Sequence, residues 1–262
     1  MPPELIKYRV EEGVAVIELH NPPANAYSYE MFRQLDDAIL QARMDDGVHV
    51  VVVTGAGDRF FCAGADIAML QKATPEFKYY FCLHANETLL RLENTPKLVM
   101  AAINGHCVGG GFEIAMACDL RVAREGAGKV GLPEIGLGVL PGTGGTQRLT
   151  RLLGRARALE LMVRGDTMDI YDARAAGLVS AILSGPDFRP QVMDLARSFC
   201  PPAKASRAVG LIKRAVHGGA DLPLEAGLAL ERELQQRLFG SEDAREGLVA
   251  FLNKRAAEFK GR

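Results

Sequence analysis

Glu113 and Glu134 are the carboxylates of this chain best suited to acid/base chemistry, because both sit among apolar and glycine residues rather than in a solvated charged run. Glu113 follows Gly109-Gly110-Gly111-Phe112 and precedes Ile114-Ala115, which reads as the first turn of a short helix, where the helix dipole favours an ionised acid. Glu134 lies inside Gly131-Leu132-Pro133-Glu134-Ile135-Gly136-Leu137-Gly138. The plainer alternatives are a solvated helix-start acid for Glu113 and an ion pair with Arg148 or Arg151 for Glu134. Side-chain-free residues at a strand-to-helix turn let a ligand oxygen reach the backbone, and the helix that follows turns its unpaired N–H groups toward it. A second donor can come from Ala63-Gly64-Ala65-Asp66-Ile67, which follows a strand and so lies where open α/β sheets place ligands. Two donor loops and two carboxylates in apolar surroundings suit proton transfer at a carbonyl compound whose enolate must be stabilised.

Other chemistries fit the sequence poorly. Gly109-Gly110-Gly111 and Gly142-Thr143-Gly144-Gly145 match neither the Walker pattern nor the complete dinucleotide fingerprint. Cys62, Cys82, Cys107, Cys118 and Cys200 form no Cys-x-x-Cys pair, and the histidines never fall in the zinc-protease spacing, so no metal is expected. His106 and Cys107 are neighbours, but adjacent residues of a strand point to opposite faces, which argues against a nucleophile and its base. The formal net charge of -1 provides no field to draw in nucleic acid. The longest uncharged apolar stretch, Leu98 to Ile103, is about a third of a membrane span. The amino-terminal residues carry neither a secretory nor a transit pattern, and a cytoplasmic protein is expected.

The elements that position these residues alternate. Val14 to Leu19 reads as the opening strand, ending at His20-Asn21-Pro22-Pro23; Ser28 caps a helix reaching about Asp45; and Val48 to Thr54 is an apolar strand covered on both faces. A helix from Thr74-Pro75 to about Glu93, a strand Leu98 to Ile103, a helical segment Phe112 to Cys118 and a strand Leu120 to Ala123 follow. Beyond a loop rich in Gly and Pro come helices from about Gln147 to Leu153, Ala156 to Val163 and Tyr171 to Ala176, then a strand Leu178 to Leu183. After Pro201-Pro202 only helices are predicted, over Ala203 to Val216, Pro223 to Phe239 and Ser241 to Lys260. The length of 262 residues therefore divides into an α/β core over 1–200 and a helical region over 201–262.

Several segments together make the chain similar to the enoyl-CoA hydratase/isomerase, or crotonase, family. They are Asn21 to Ala26, Phe61 to Ile67, Asn104-Gly105, Gly109-Gly110-Gly111-Phe112-Glu113, Ala117-Cys118-Asp119, Gly131-Leu132-Pro133-Glu134, Pro141 through Leu149 and Ala176 to Val179. The resemblance implies a crotonase-like spiral of ββα turns with a C-terminal all-helical trimerisation region, as a homotrimer or dimer of trimers, and an acyl-CoA thioester substrate. It implies that the N–H groups of Ala65 and Gly110 hold the thioester oxygen and that Ala63 and the stretch Ala65, Asp66, Ile67 and Ala68 line the CoA site. Phe251 and Lys254 resemble residues of the last helix that approach the adenine and phosphates, partly from a neighbouring subunit; simple helix amphipathicity would account for them equally.

Hydratases of the family carry both glutamates, as here, while many double-bond isomerases keep only the second. The resemblance thus implies reversible hydration of 2-trans-enoyl-CoA, with Glu113 as base toward a shared water, Glu134 as proton donor to Cα, and no metal or cofactor beyond the coenzyme A of the substrate. The alternatives are a Δ3,Δ2-enoyl-CoA isomerase, a hydratase of a cyclic or branched enoyl-CoA, and a non-catalytic acyl-CoA-binding protein. One departure is that Arg124 to Val130 is a residue longer than in typical hydratases. Acyl-chain selection would depend on where Met69, Leu70, Phe77, Tyr80, Phe81 and Leu140 point.

Overall fold

The central strands are nearly continuous apolar runs, and such runs are stable only where layers cover both faces of a sheet. The computed structural model describes residues 3–262. In chain order its elements are β1 (Ile6–Glu11), β2 (Val14–Leu19), α1 (Tyr29–Met44), β3 (Val50–Gly55), β4 (Phe60–Cys62), α2 (Ile67–Lys72), α3 (Pro75–Glu93), β5 (Leu98–Ile103), β6 (His106–Val108), α4 (Gly110–Met116), β7 (Leu120–Arg124) and β8 (Lys129–Gly131). A 3-10 turn (Glu134–Leu137) leads on to α5 (Gly145–Leu153), α6 (Arg155–Arg164), β9 (Thr167–Asp169), α7 (Ile170–Ala175), β10 (Ala181–Leu183), α8 (Phe188–Arg197), α9 (Ser206–Ala220), α10 (Leu224–Phe239) and α11 (Glu242–Leu252).

Two sheets result, one in the order β1-β2-β3-β5-β7-β10 and the other in the order β4-β6-β8-β9. The pairs β3/β4, β5/β6 and β7/β8 each give one strand to each sheet before a helix follows, so the core is a spiral of ββα turns. Alternate residues of the same strands serve two cores. Ala15, Ile17, Val51, Val53, Val99 and Ala101 belong to the cluster that also holds α1, α3 and α4. Val14, Val16, Val50, Val52 and Met100 pack on the other face, with Phe188, Val192 and Ala196 of α8.

Buried asparagines secure the passages from one sheet to the other. Asn104 donates from Nδ2 to the carbonyls of Gly55 and Gly57 at 3.0 and 2.7 Å and accepts from Gly55 N at 3.0 Å. Asn25 donates to the carbonyls of Ala56 and Phe60, each at 2.9 Å. These amides satisfy backbone groups that leave the ladder where the chain turns a corner.

The structure corrects several expectations. A strand, β1, precedes the expected opening one and pairs with β2 through a two-residue turn, Glu12 and Gly13, at φ 49° and 81°. Positive φ at both central residues is the hairpin turn that matches strand twist. The short strands β4, β6, β8 and β9 fall in stretches expected to be turns and loops, and α8 is an additional helix, with Pro190 accommodated in its first turn. Of Leu178 to Leu183 only β10 is strand, because Leu178 and Val179 return their N–H groups to Ala173 O. The last helix ends at Leu252 rather than Lys260. Lys254 takes φ 51°, and the chain turns back so that Lys260 N and Gly261 N donate to Asp243 at 2.7 and 2.8 Å.

Candidate active site

Three ββα turns bring Ala63, Ala65, Ile67, Gly110, Glu113 and Glu134 of the predicted residues to one cavity of about 390 Å³. Tyr27 comes from the β2–α1 connection, Ala63, Gly64, Ala65 and Ile67 from the first turn, Gly109, Gly110 and Glu113 from the second, and Glu134, Leu137, Leu140 and Thr143 from the third. The described residues hold no cluster of three or more His, Cys, Asp or Glu side chains able to bind a metal.

The two donor loops meet at van der Waals distance. Gly64 has φ +93°, and a Cβ on it would lie 3.2 Å from Gly110 N, so a side chain there would press the loops apart. Ala65 forms a parallel bridge with Tyr27 in which Tyr27 N bonds Gly64 O and Asp66 N bonds Tyr27 O, both at 2.9 Å. That pattern turns the N–H of Ala65 to the side away from Tyr27. Gly110 begins α4, and its N–H is one of the orphan donors of a helix start. Among the described residues neither of these N–H groups donates to a protein acceptor.

Glu113 is 1% exposed and held by the loop after the 3-10 turn. Its Oε1 accepts from Thr143 N at 2.8 Å and Gly145 N at 2.6 Å, and its Oε2 accepts from the Thr143 hydroxyl. Burial raises its pKa, and these hydrogen bonds, which favour the ionised form, oppose that shift without cancelling it. Glu134 opens the 3-10 turn, and its Oε2 is buried without a hydrogen-bond partner. Burial pushes its carboxyl up to about 7; the charge of Glu113 adds to this and that of Lys78 subtracts. The alternative ion pairs for Glu134 are not formed, since Arg148 pairs with Glu93 at 2.8 Å and Arg151 with Asp221 at 3.4 Å.

Not every predicted residue lies in the cavity. Asp66 is the N-cap of α2 and accepts from Ala68 N and Met69 N at 2.8 and 3.1 Å, while Ala68 is exposed outside the lining. Phe251, in the last turn of α11, is 83% exposed, and neither it nor Lys254 lines the cavity of this single chain. Of the residues expected to choose the acyl chain, Leu70 and Leu140 line the cavity, whereas Phe81 is buried beneath it against Tyr27. The longer stretch Arg124 to Val130 forms the β7–β8 connection and adds nothing to the lining.

Three lining residues escaped sequence reasoning. Thr143 was visible only as part of a glycine cluster, yet it supplies two of the three hydrogen bonds to Glu113. Tyr27 is 3% exposed and lies so close to Gly110 that a Cβ there would be 1.8 Å from its hydroxyl. Lys78, on α3, gave no signal at all, because a lysine on an amphipathic helix is ordinarily a solvated residue.

The family model for enoyl-CoA hydratase/isomerase matches residues 9–262. A crotonyl-CoA hydratase of Syntrophomonas wolfei is 36% identical over 250 residues, covering 95% of each chain. A short-chain-enoyl-CoA hydratase of Clostridium acetobutylicum is 36% identical over 254 residues, covering 96% of each. In three dimensions, the crystal structure of an enoyl-CoA hydratase from Geobacillus kaustophilus superimposes with a TM-score of 0.96 at 43% identity, covering 100% of this chain and 98% of that one. With the family match spanning almost the whole sequence and the fold shared end to end, the chain belongs to the enoyl-CoA hydratase/isomerase family.

Proposed function

We propose that the protein catalyses the reversible hydration of 2-trans-enoyl-CoA thioesters to 3-hydroxyacyl-CoA. The observation that carries this reading is the unequal satisfaction of two carboxylates on one cavity: Glu113 accepts three hydrogen bonds, and Glu134 Oε2 accepts none. A shared proton therefore resides on Glu134, leaving Glu113 as the anion. In the forward direction Glu113 takes a proton from water as the water oxygen bonds Cβ, and Glu134 gives its proton to Cα. Solvent exchange then resets both acids, so the sum is one water added. The N–H groups of Ala65 and Gly110 take the thioester oxygen as it gains enolate charge, each worth about 3 kcal/mol in the transition state. Coenzyme A arrives with the substrate, and the chemistry asks for no metal or further cofactor.

The test is loss of enoyl-thioester absorbance with crotonoyl-CoA, run beside Glu113→Gln and Glu134→Gln. Each substitution is expected to slow hydration by at least about 100-fold while leaving thioester binding within a few fold. Tight binding without turnover by the parent protein would overturn the reading in favour of an acyl-CoA-binding role. Unchanged turnover of 3-enoyl-CoA by Glu113→Gln would move it to double-bond isomerisation.

The same reading assigns the C-terminal helices to the interface of a homotrimer or dimer of trimers. It is supported by the apolar side chains Ile212, Val216, Leu224 and Phe239, each more than half exposed in the single chain. Phe251 and Lys254 would then serve the CoA of the same or an adjacent subunit.

A further inference from the structure

Lys78 is the only cation among the residues that line the cavity, and beyond the longer-range pull it exerts on Glu134 its charge has no direct partner. Among the described residues its ammonium has no carboxylate within ion-pair distance and no hydrogen-bond acceptor, although two glutamates share the cavity with it. Its Nζ stands 5.5 Å from the centre of the Phe81 ring and 3.9 Å from where a Cβ on Gly142 would be. Gly142 immediately precedes Thr143, the residue that clamps Glu113, so the ammonium rests on the wall that holds the acids. The cavity it shares also presents Leu70, Leu137, Val139 and Leu140, whose side chains offer nothing polar. A half-buried cation in such company is incompletely solvated, and an anion entering with the ligand would restore what burial removes.

From this we infer that Lys78 selects acyl groups carrying a carboxylate at the end remote from the thioester, so that the preferred ligands are monothioesters of dicarboxylic acids. The inference rests on the thioester reading of this cavity. A single ammonium matches one carboxylate; the phosphates of coenzyme A carry several charges and call for more than one cation. The carboxylate of the ligand would meet Nζ while the chain lies along Leu137 and Leu140, and neither catalytic acid would have to move.

The experiment is calorimetric binding of saturated thioesters, which cannot be hydrated, so that affinity is read independently of turnover. Glutaryl-CoA and adipyl-CoA are compared with pentanoyl-CoA and hexanoyl-CoA on the parent protein, Lys78→Met and Lys78→Glu. One of the dicarboxylic esters is expected to bind the parent about tenfold more tightly than its neutral counterpart of equal carbon number. That ratio should fall to near one in Lys78→Met and below one in Lys78→Glu. Equal affinity for charged and neutral esters in the parent would overturn the proposal. So would an equal weakening of all four esters in Lys78→Met, the result expected if the ammonium meets coenzyme A instead. Crotonoyl-CoA turnover by the parent, measured alongside, reports on the hydratase reading by itself.

Discussion

Glu134 shows how a single side chain can trade stability for reactivity. Its carboxyl is held near 7 against an ordinary 4.5, chiefly by burial, and one of its oxygens has no partner. The folded chain therefore binds this proton more tightly than the unfolded chain does. Between those two pH values the folded state holds more protons, so this group's contribution to stability is full at low pH and is lost as pH rises through about 7. Glu134→Gln should accordingly be more stable than the parent above pH 7, by about 1 kcal/mol after allowing for partial solvent screening, with the difference vanishing near pH 4. Urea titrations of both proteins across that range check the sign. The same ionisation should impose a falling limb on kcat/KM for hydration near pH 7, because the proton donor is then lost.

At the scale of elements, the site depends on how closely the turn after β4 approaches the start of α4. Gly64 permits that approach through a positive φ and the absence of a side chain facing Gly110 N. Gly64→Ala is expected to cost about 1–2 kcal/mol of stability and to lower kcat by more than tenfold, because the two N–H donors would no longer converge. A fall in kcat with binding preserved would support that role, and unchanged kcat would remove it. The loop before α5 makes a comparable contribution, since Thr143 and Gly145 hold Glu113 only when Gly145 begins α5 at its observed place.

Across the whole molecule, the C-terminal helices are tied to the spiral by a buried ion pair. Lys213 of α9 meets Asp119 at 2.8 Å, and the same carboxylate oxygen accepts from Val99 N at 2.7 Å, which links α9 to β5. Both side chains are less than a tenth exposed, so removing one partner strands a buried charge. Asp119→Ala should cost about 3–5 kcal/mol, read by chemical denaturation, whereas a substitution at the exposed pair of Arg157 and Glu160 should cost less than about 1 kcal/mol. Sedimentation equilibrium checks the proposed assembly: a trimer or hexamer is expected, and a monomer at micromolar concentration would leave the exposed apolar residues of α9 and α10 without a partner.

The sequence by itself determined the family, the α/β alternation and the two acids, because these rest on local pattern: apolar runs for buried strands, caps such as Ser28 and Thr74 for helices, and glycine loops next to Glu113 and Glu134. It left β4, β6, β8 and β9 unread. Three-residue strands carry too little periodicity to be distinguished from turns, and they exist because the second sheet pairs them across the spiral. Which residues attend the acids was likewise decided by tertiary structure. Thr143 lies 30 residues from Glu113, and Lys78 and Tyr27 come from other parts of the chain. Protonation belongs to the same class. A helix start alone bears only on Glu113, whereas the walls assembled around both carboxylates remove water from both, and the hydrogen bonds that favour the anion reach Glu113 from a loop distant in sequence.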